Sequence, residues 1–318
     1  MGRYLARRLA GGGVSLLLVA IALTLMIHLV PGDPVVRILG PRATPELVAS
    51  VRDEMDLDEP IPVQVWLFVT GALHGDLGND FTTRESVMSQ ILVVLPNTII
   101  LAVSGLLLAV LFGIPLGVLS ARHPGSWLDR VTGAVSLAFT SLPTYVVGLL
   151  LLLLFAVRLD WLPAIGSGEL GDPVDYGRHL ILPVVALAVG WVGYLARLMR
   201  ASLLEVLNEN YIRTARSWGL RERIVIYRFA LKNALVPTVA VLGVGLGYLM
   251  GGAIFVELIF TRTGLGSLAQ SAIEDRNYPV VRGTTIVIAF LFILANLIAD
   301  LSYRFLDPRI ELDETGGV

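Results

Sequence analysis

No cysteine occurs in the 318 residues, which excludes disulfides, thiolate metal centres and a thiol nucleophile. Lysine is almost as scarce. The single one, Lys232, follows Phe229, Ala230 and Leu231, whereas a P-loop needs a glycine-framed lysine to reach the phosphates. This chain therefore carries no such nucleotide site, and any ATP that drives it is bound by another polypeptide. Histidine is dispersed: His28, His74, His123 and His179 fall on different spans and loops, and no HExxH occurs. Ser167 sits in a Gly-Ser-Gly turn with no His–Asp pair at a suggestive spacing. The acids Asp53, Glu54, Asp56, Asp58 and Glu59 lack the spacing and mid-loop glycine of a calcium loop and read as a solvated helix end. Nothing here points to an enzyme.

What the chain has in abundance is apolar sequence: 55% hydrophobic against 16% charged residues, with a mean hydropathy of +0.75. That is a membrane composition. Arg3, Arg7 and Arg8 precede an apolar run over 9–30. It is signal-like, but long enough to cross ~30 Å of hydrocarbon and without a convincing cleavage site, so it reads as an uncleaved first span starting in the cytoplasm. His28 within it, with no acidic partner nearby, reads as a packed or interfacial residue rather than a proton relay. Pro31-Gly32-Asp33-Pro34 stops that helix. Residues 35–90 then form an acidic, Arg-poor outer loop with one short amphipathic helix, PELVASVRDEMDL, and a glycine-rich turn, HGDLGNDF. Five further spans are expected near 92–120, 131–157, 180–195, 234–260 and 280–301. Pro96, Pro115, Gly113 and Gly117 in the second imply a kink and close helix packing, and Pro143 lies within the third. Six crossings leave both termini in the cytoplasm. The expected divisions are 1–31 (N-terminus and first span), 32–91 (outer loop), 92–306 (a five-helix core) and 307–318 (cytoplasmic tail).

A polar, basic segment at about 200–234 interrupts these spans. From Arg197 to Ala234 it carries Arg197, Arg200, Arg213, Arg216, Arg221, Arg223, Arg228 and Lys232 against Glu205, Glu209 and Glu222, the charge balance of a cytoplasmic face. Asn208 or Asn210 caps a short helix that Gly219 ends, and a second amphipathic helix follows over about 221–233 before Pro237 begins the next span. Two short helices joined at a glycine make either a knob for another protein to grip or an amphipathic loop on lipid headgroups. Ionisable groups inside the spans are few. Asp300 and Arg304, four apart, read as a structural pair. Glu257 either lines a translocation path or meets Arg262 or water at the interface, and Tyr248 and Met250 are candidates for the same path or gate.

An ordered set of segments resembles one family over about 4–309: LVPGDPVVRILGP, LDEPIPVQ, HGDLG, LPNTIILA, GIPLGVLSA, GSWLDR, SLPTYVVGLLLLLLFAVRLDWLPA, YIRTARSWGL, ALKNALVP, GGAIFVELIF, DRNYPVVRG and LDPR. They are similar to the first permease subunit of dipeptide/oligopeptide ABC importers, the binding-protein-dependent transport inner-membrane components. The resemblance implies an all-α polytopic membrane protein with six transmembrane helices in the type I importer permease fold. Its partners would be a second permease, two ABC ATPases that hold the ATP and magnesium, an extracytoplasmic peptide-binding protein and membrane lipid. The cargo would be a peptide, with no nucleic acid and no cofactor in this chain. Residues 211–220 match the family's cytoplasmic coupling loop, the EAA motif, and Tyr211, Arg213, Thr214, Ala215, Arg216, Gly219 and Leu220 carry it. Ala215 and Gly219 keep the small residue and the glycine, Thr214 stands where a second alanine is common, and Arg213 replaces a glutamate. The expectation is that Ala215 lets the helix sit deep in an ATPase cleft, with Arg213, Arg216 and Arg221 pairing with acids there. A secondary transporter for a small solute is the alternative. It calls for inverted repeats with broken midplane helices and ionisable coupling sites, and neither is visible.

Overall fold

The computed structural model describes residues 2–29, 35, 44–54, 56–169 and 171–306. The stop at Pro31–Pro34 and the tail over 307–318 lie outside them, as do the side chains of Asp300 and Arg304. The described residues form helices and one isolated bridge, Asn79 to Ser86. Two compact units emerge, Met1–Ile99 with Thr263–Ile293, and Ile100–Arg262 with Leu294–Val318.

The first unit contains α1 (Gly2–Leu29), α2 (Pro45–Glu54), α3 (Ile61–Leu73), the first turns of α4 (Val87–Arg122), α10 (Leu265–Glu274) and most of α11 (Tyr278–Leu306). Its core gathers Leu77, Val87, Ile91, Leu265, Ala272, Val280 and Val281. α2 is the short helix expected in the acidic stretch. α3 and α10 were hidden by the polar residues around them. α1 packs on α3, where His28 Nε2 meets Gln64 Oε1 at 3.1 Å. The Gln64 amide nitrogen donates to the carbonyls of Glu59 at 2.8 Å and Leu57 at 3.4 Å. His28 is exposed apart from this contact, which fits the interfacial half of the expectation rather than a buried position. The loop after α3 is knotted on Asp80, which accepts from the backbone of Thr82 and Thr83 and from the side chains of Gln90 and Asn277.

The second unit is organised around α7 (Pro173–Leu207), which packs against α5 (Trp127–Ser141), α6 (Thr144–Arg158) and α9 (Glu222–Ile259). Asp172 caps α7 by accepting from the amides of Val174 and Asp175. The glycines of α4 form its seam with α7. A Cβ on Gly113 would lie 2.9 Å from the Leu195 Cβ, and one on Gly117 would lie 2.6 Å from the Ala196 carbonyl oxygen. Small residues four apart let two helices approach to backbone contact where water provides no drive to associate.

Among the described residues, five helices are long and apolar enough to cross a membrane. The expected third span is different: α5 and α6 meet at a 102° bend. Pro143 cannot donate to the helix, and it forces Leu142 into an extended conformation with ψ 124°. The two pieces count as one broken crossing or as a re-entrant pair, and six crossings are reached only in the first case. A second correction concerns 221–233. It is not a separate helix, because α9 runs unbroken through Pro237 to Ile259, with a wider π-helical stretch over Val225–Ala230. One proline costs about 3 kcal/mol in a helix interior, whereas ending the helix there would leave four carbonyls unpaired.

Candidate functional site

Between α7 and α9 stands a short helix, α8 (Asn210–Ser217). Its sequence places apolar residues three apart, and the structure turns both inward: Ile212 is 0% exposed and Ala215 2%. They rest on a platform from three helices: Val118 and Ala121 of α4, Met199 and Leu203 of α7, and Val225, Ile226, Ala230 and Ala234 of α9. Glu209, not Asn208 or Asn210, occupies the N-cap position, and its side chain makes no capping bond. At the other end Gly219 adopts φ +72° and donates to the Arg216 carbonyl at 3.0 Å. That left-handed turn is what glycine permits and a Cβ penalises.

The outward face carries Tyr211, Arg213, Thr214, Arg216, Ser217 and Trp218, all exposed, with Leu220 half-buried beside the platform. Two side chains clip α8 to α9. Arg216 forks onto Glu222, donating from Nη2 at 2.8 Å and from Nε at 3.3 Å. Asn233 donates to the Tyr211 hydroxyl at 2.8 Å. The Glu222 carboxylate raises the Arg216 pKa above its usual value. Arg216 is thus engaged within the chain, while Arg213 and Arg221 remain exposed on the surface.

Close by, a charge cluster that the sequence did not reveal braces α5 against α7. Arg200 donates to both carboxylate oxygens of Asp129, from Nε at 2.5 Å and from Nη2 at 2.8 Å. The Ser120 hydroxyl and the Gly125 amide donate to the same carboxylate. Asp129 is 7% exposed. The one legible trace was Ser126 three residues ahead, a helix cap whose hydroxyl accepts from the Asp129 amide.

The three candidate path residues on α9 do not share a face. Glu257, 1% exposed, and Met250, 6%, are seven apart and packed inward, whereas Tyr248 is 68% exposed. The Glu257 carbonyl accepts from the Arg262 amide at 2.7 Å. Arg262 is itself buried, with its guanidinium 4.9 Å from the Tyr176 ring centroid.

Residues 113–312 match the binding-protein-dependent transport system inner membrane component, and residues 1–102 match the N-terminal part of such membrane components. The chain belongs to that family. Among its relatives, a probable peptide ABC transporter permease protein of Sinorhizobium fredii is 38% identical over 98% of this chain and 99% of its own length. The glutathione transport system permease proteins GsiC of Salmonella choleraesuis and Pectobacterium atrosepticum are each 37% identical over the same shares. In fold the permease is similar to the MetNI methionine ABC transporter in an inward-facing conformation, with TM-score 0.57, 20% identity and coverage of 69% of this chain and 97% of that one. It also resembles an amino acid ABC transporter, with TM-score 0.52, 17% identity and coverage of 70% and 94%.

The permease is therefore a multi-pass inner-membrane component of an ABC transport system, built as an all-α importer permease of the type I fold, and not a catalytic subunit. Its place in such a system implies further ABC components beside it, a second permease and an ATPase among them. Ala215 faces the permease's own core, where its small size lets α8 lie close on the platform.

Proposed function

We propose that the permease forms one half of the path through which an ABC importer moves di- and oligopeptides delivered by an extracytoplasmic binding protein, and that α8 is its coupling helix. The observation that carries this reading is the seating of α8. Its inner face is locked to α4, α7 and α9 at once, and its outer face offers Tyr211, Arg213 and Trp218 to a partner. A push on such a helix moves three long helices together instead of bending a loop.

ATP and its magnesium bind on two partner ATPases. Closure of that dimer carries α8 and turns the path between two permeases from inward- to outward-facing. The basic α7–α9 connection, and both termini with it, lie in the cytoplasm, where positive residues are retained. Arg213 and Arg221 meet acids on the ATPase, and Arg216 holds the helix in place. Relatives named for peptide and for glutathione, itself a tripeptide, support a peptide cargo.

The test is a pull-down of the tagged chain from detergent-solubilised native membranes, followed by ATPase assay. Recovery of a second permease with P-loop ATPases is expected, with hydrolysis stimulated by loaded binding protein because coupling is reciprocal. A homo-oligomer without an ATPase sinks the proposal.

A further inference from the structure

The exposed stripes on the long helices of the second unit differ in chemistry. α4 shows Leu107, Leu111 and Phe112, and α6 shows Leu149, Leu150, Leu153, Leu154 and Val157, all of them lipid-like. α7 instead exposes Tyr194 and Arg197, and α9 exposes Val244, Tyr248, Gly251 and Phe255 along one face. Trp191 joins the two helices. Its ring lies 5.4 Å from that of Tyr194, edge-on at 77°, and 6.5 Å from that of Tyr248. Gly245 makes the seat for the indole, since a Cβ there would lie 2.7 Å from it.

This cluster is far from either end of its helices. Tyr248 stands about 16 Å of helix from Pro237 and about 16 Å from Ile259, and the ring contact puts Trp191 near the same depth, about 9 Å of helix short of Arg197. At such depth a phenol or an indole N–H facing hydrocarbon forfeits its hydrogen bond, which costs several kcal/mol. Tyr and Trp on lipid-facing surfaces belong at the interfaces instead. No intramolecular hydrogen bond engages these three tips among the described residues.

We infer that the stripe of Tyr194, Tyr248 and Gly251 is a wetted wall of the translocation path, and that Trp191, Tyr194 and Tyr248 form its mid-depth contact site for an amide-rich solute such as a short peptide. The inference rests on the permease reading above. Aromatic faces cover side chains of many shapes without choosing among them. Two hydroxyls and an indole N–H hydrogen-bond to amide carbonyls or a terminal carboxylate. The three carry no fixed charge, so a passing solute is held weakly and released.

The cysteine-free chain provides a clean test. Tyr194→Cys, Tyr248→Cys and Gly251→Cys are compared with Leu153→Cys and Leu111→Cys in the purified transporter complex. The probe is a positively charged, water-soluble methanethiosulfonate reagent, which needs a hydrated thiolate to react. Gly251 is the safeguard against misfolding, because nothing lies within 4 Å of a Cβ added there. The three stripe cysteines are expected to react at least about tenfold faster than the two leucine positions, and saturating trialanine with the binding protein is expected to slow them. Rates equal to Leu153→Cys in a complex with working ATPase overturn the inference and leave the permease reading intact. Reaction in the isolated subunit but not in the complex also overturns it, by assigning the stripe to the contact with the second permease.

Discussion

Asn233 donates to the Tyr211 hydroxyl at 2.8 Å, so the first turn of α8 is tied directly to the helix that leads into the membrane. Arg216 and Glu222 tie its last turn to the start of the same helix. Both clips are exposed, and each contributes only about 0.5–1 kcal/mol to folding. Their value is in transmission. Tyr211→Phe combined with Glu222→Gln is expected to leave assembly and thermal stability nearly unchanged while lowering peptide uptake per ATP hydrolysed. Uptake and hydrolysis measured on the same proteoliposomes decide it. An unchanged ratio removes the clips from the coupling route.

Ala215 gives a sharper test of where its packing partner lies. It is 2% exposed against the permease's own platform, so Ala215→Leu overpacks that core and costs about 1–3 kcal/mol. The isolated subunit, freed of any ATPase, is expected to melt earlier in detergent. If its melting is unchanged while ATPase binding is lost, the alanine serves the partner's cleft instead. Gly219→Ala, which forces a Cβ into φ +72°, is expected to cost about 1 kcal/mol by the same measurement.

The basic segment was legible as a polar interruption whose first short helix ends at Gly219, because charge balance and helix punctuation need no tertiary information. A docking role and the choice of Ala215 came from the family resemblance instead. The role of Ala215 was not legible, because periodicity shows only that Ile212 and Ala215 share a face and not which surface covers it. The 102° break at Pro143 was beyond reach too: a proline in an apolar run signals a disturbance, and its size depends on packing around α7. The Pro237 case went the other way, with the unbroken α9 overriding a local stop signal. Asp129 and Arg200 lie 71 residues apart, and no local pattern pairs residues at that distance.

That pair has its own consequence. Asp129 is nearly buried and accepts four hydrogen bonds, whereas the Arg200 side chain is 35% exposed. Removing the arginine leaves a buried carboxylate with only the Ser120 and Gly125 donors, so Arg200→Met is expected to destabilise more than Asp129→Asn, which keeps the shape and removes the charge. An estimate of about 2–3 kcal/mol for Arg200→Met allows for the partial solvation of the guanidinium. Thermal unfolding of both variants, with the double variant closing the cycle, checks the order. The reverse order shows that the arginine, not the aspartate, is the group that needs its partner.

Acid acts on the other unit through Asp80. Burial pushes its pKa up, but donation from Gln90, from the Thr83 and Thr82 amides and from Asn277 outweighs that, and the net shift is downward. A carboxylate whose pKa falls on folding stabilises the fold above its unfolded value, near 3.9, and that stabilisation drains away as the pH drops below it. The loop over 78–90 is therefore expected to stay closed at neutral pH and to loosen only in acid. Asp80→Asn removes the charge at every pH. At pH 7.5 it is expected to speed tryptic cleavage after Arg84, an exposed residue in that loop, and to flatten the acid limb of the melting profile. A variant that resists trypsin as the parent does, and keeps the same acid limb, shows that the charge on Asp80 does not hold the loop.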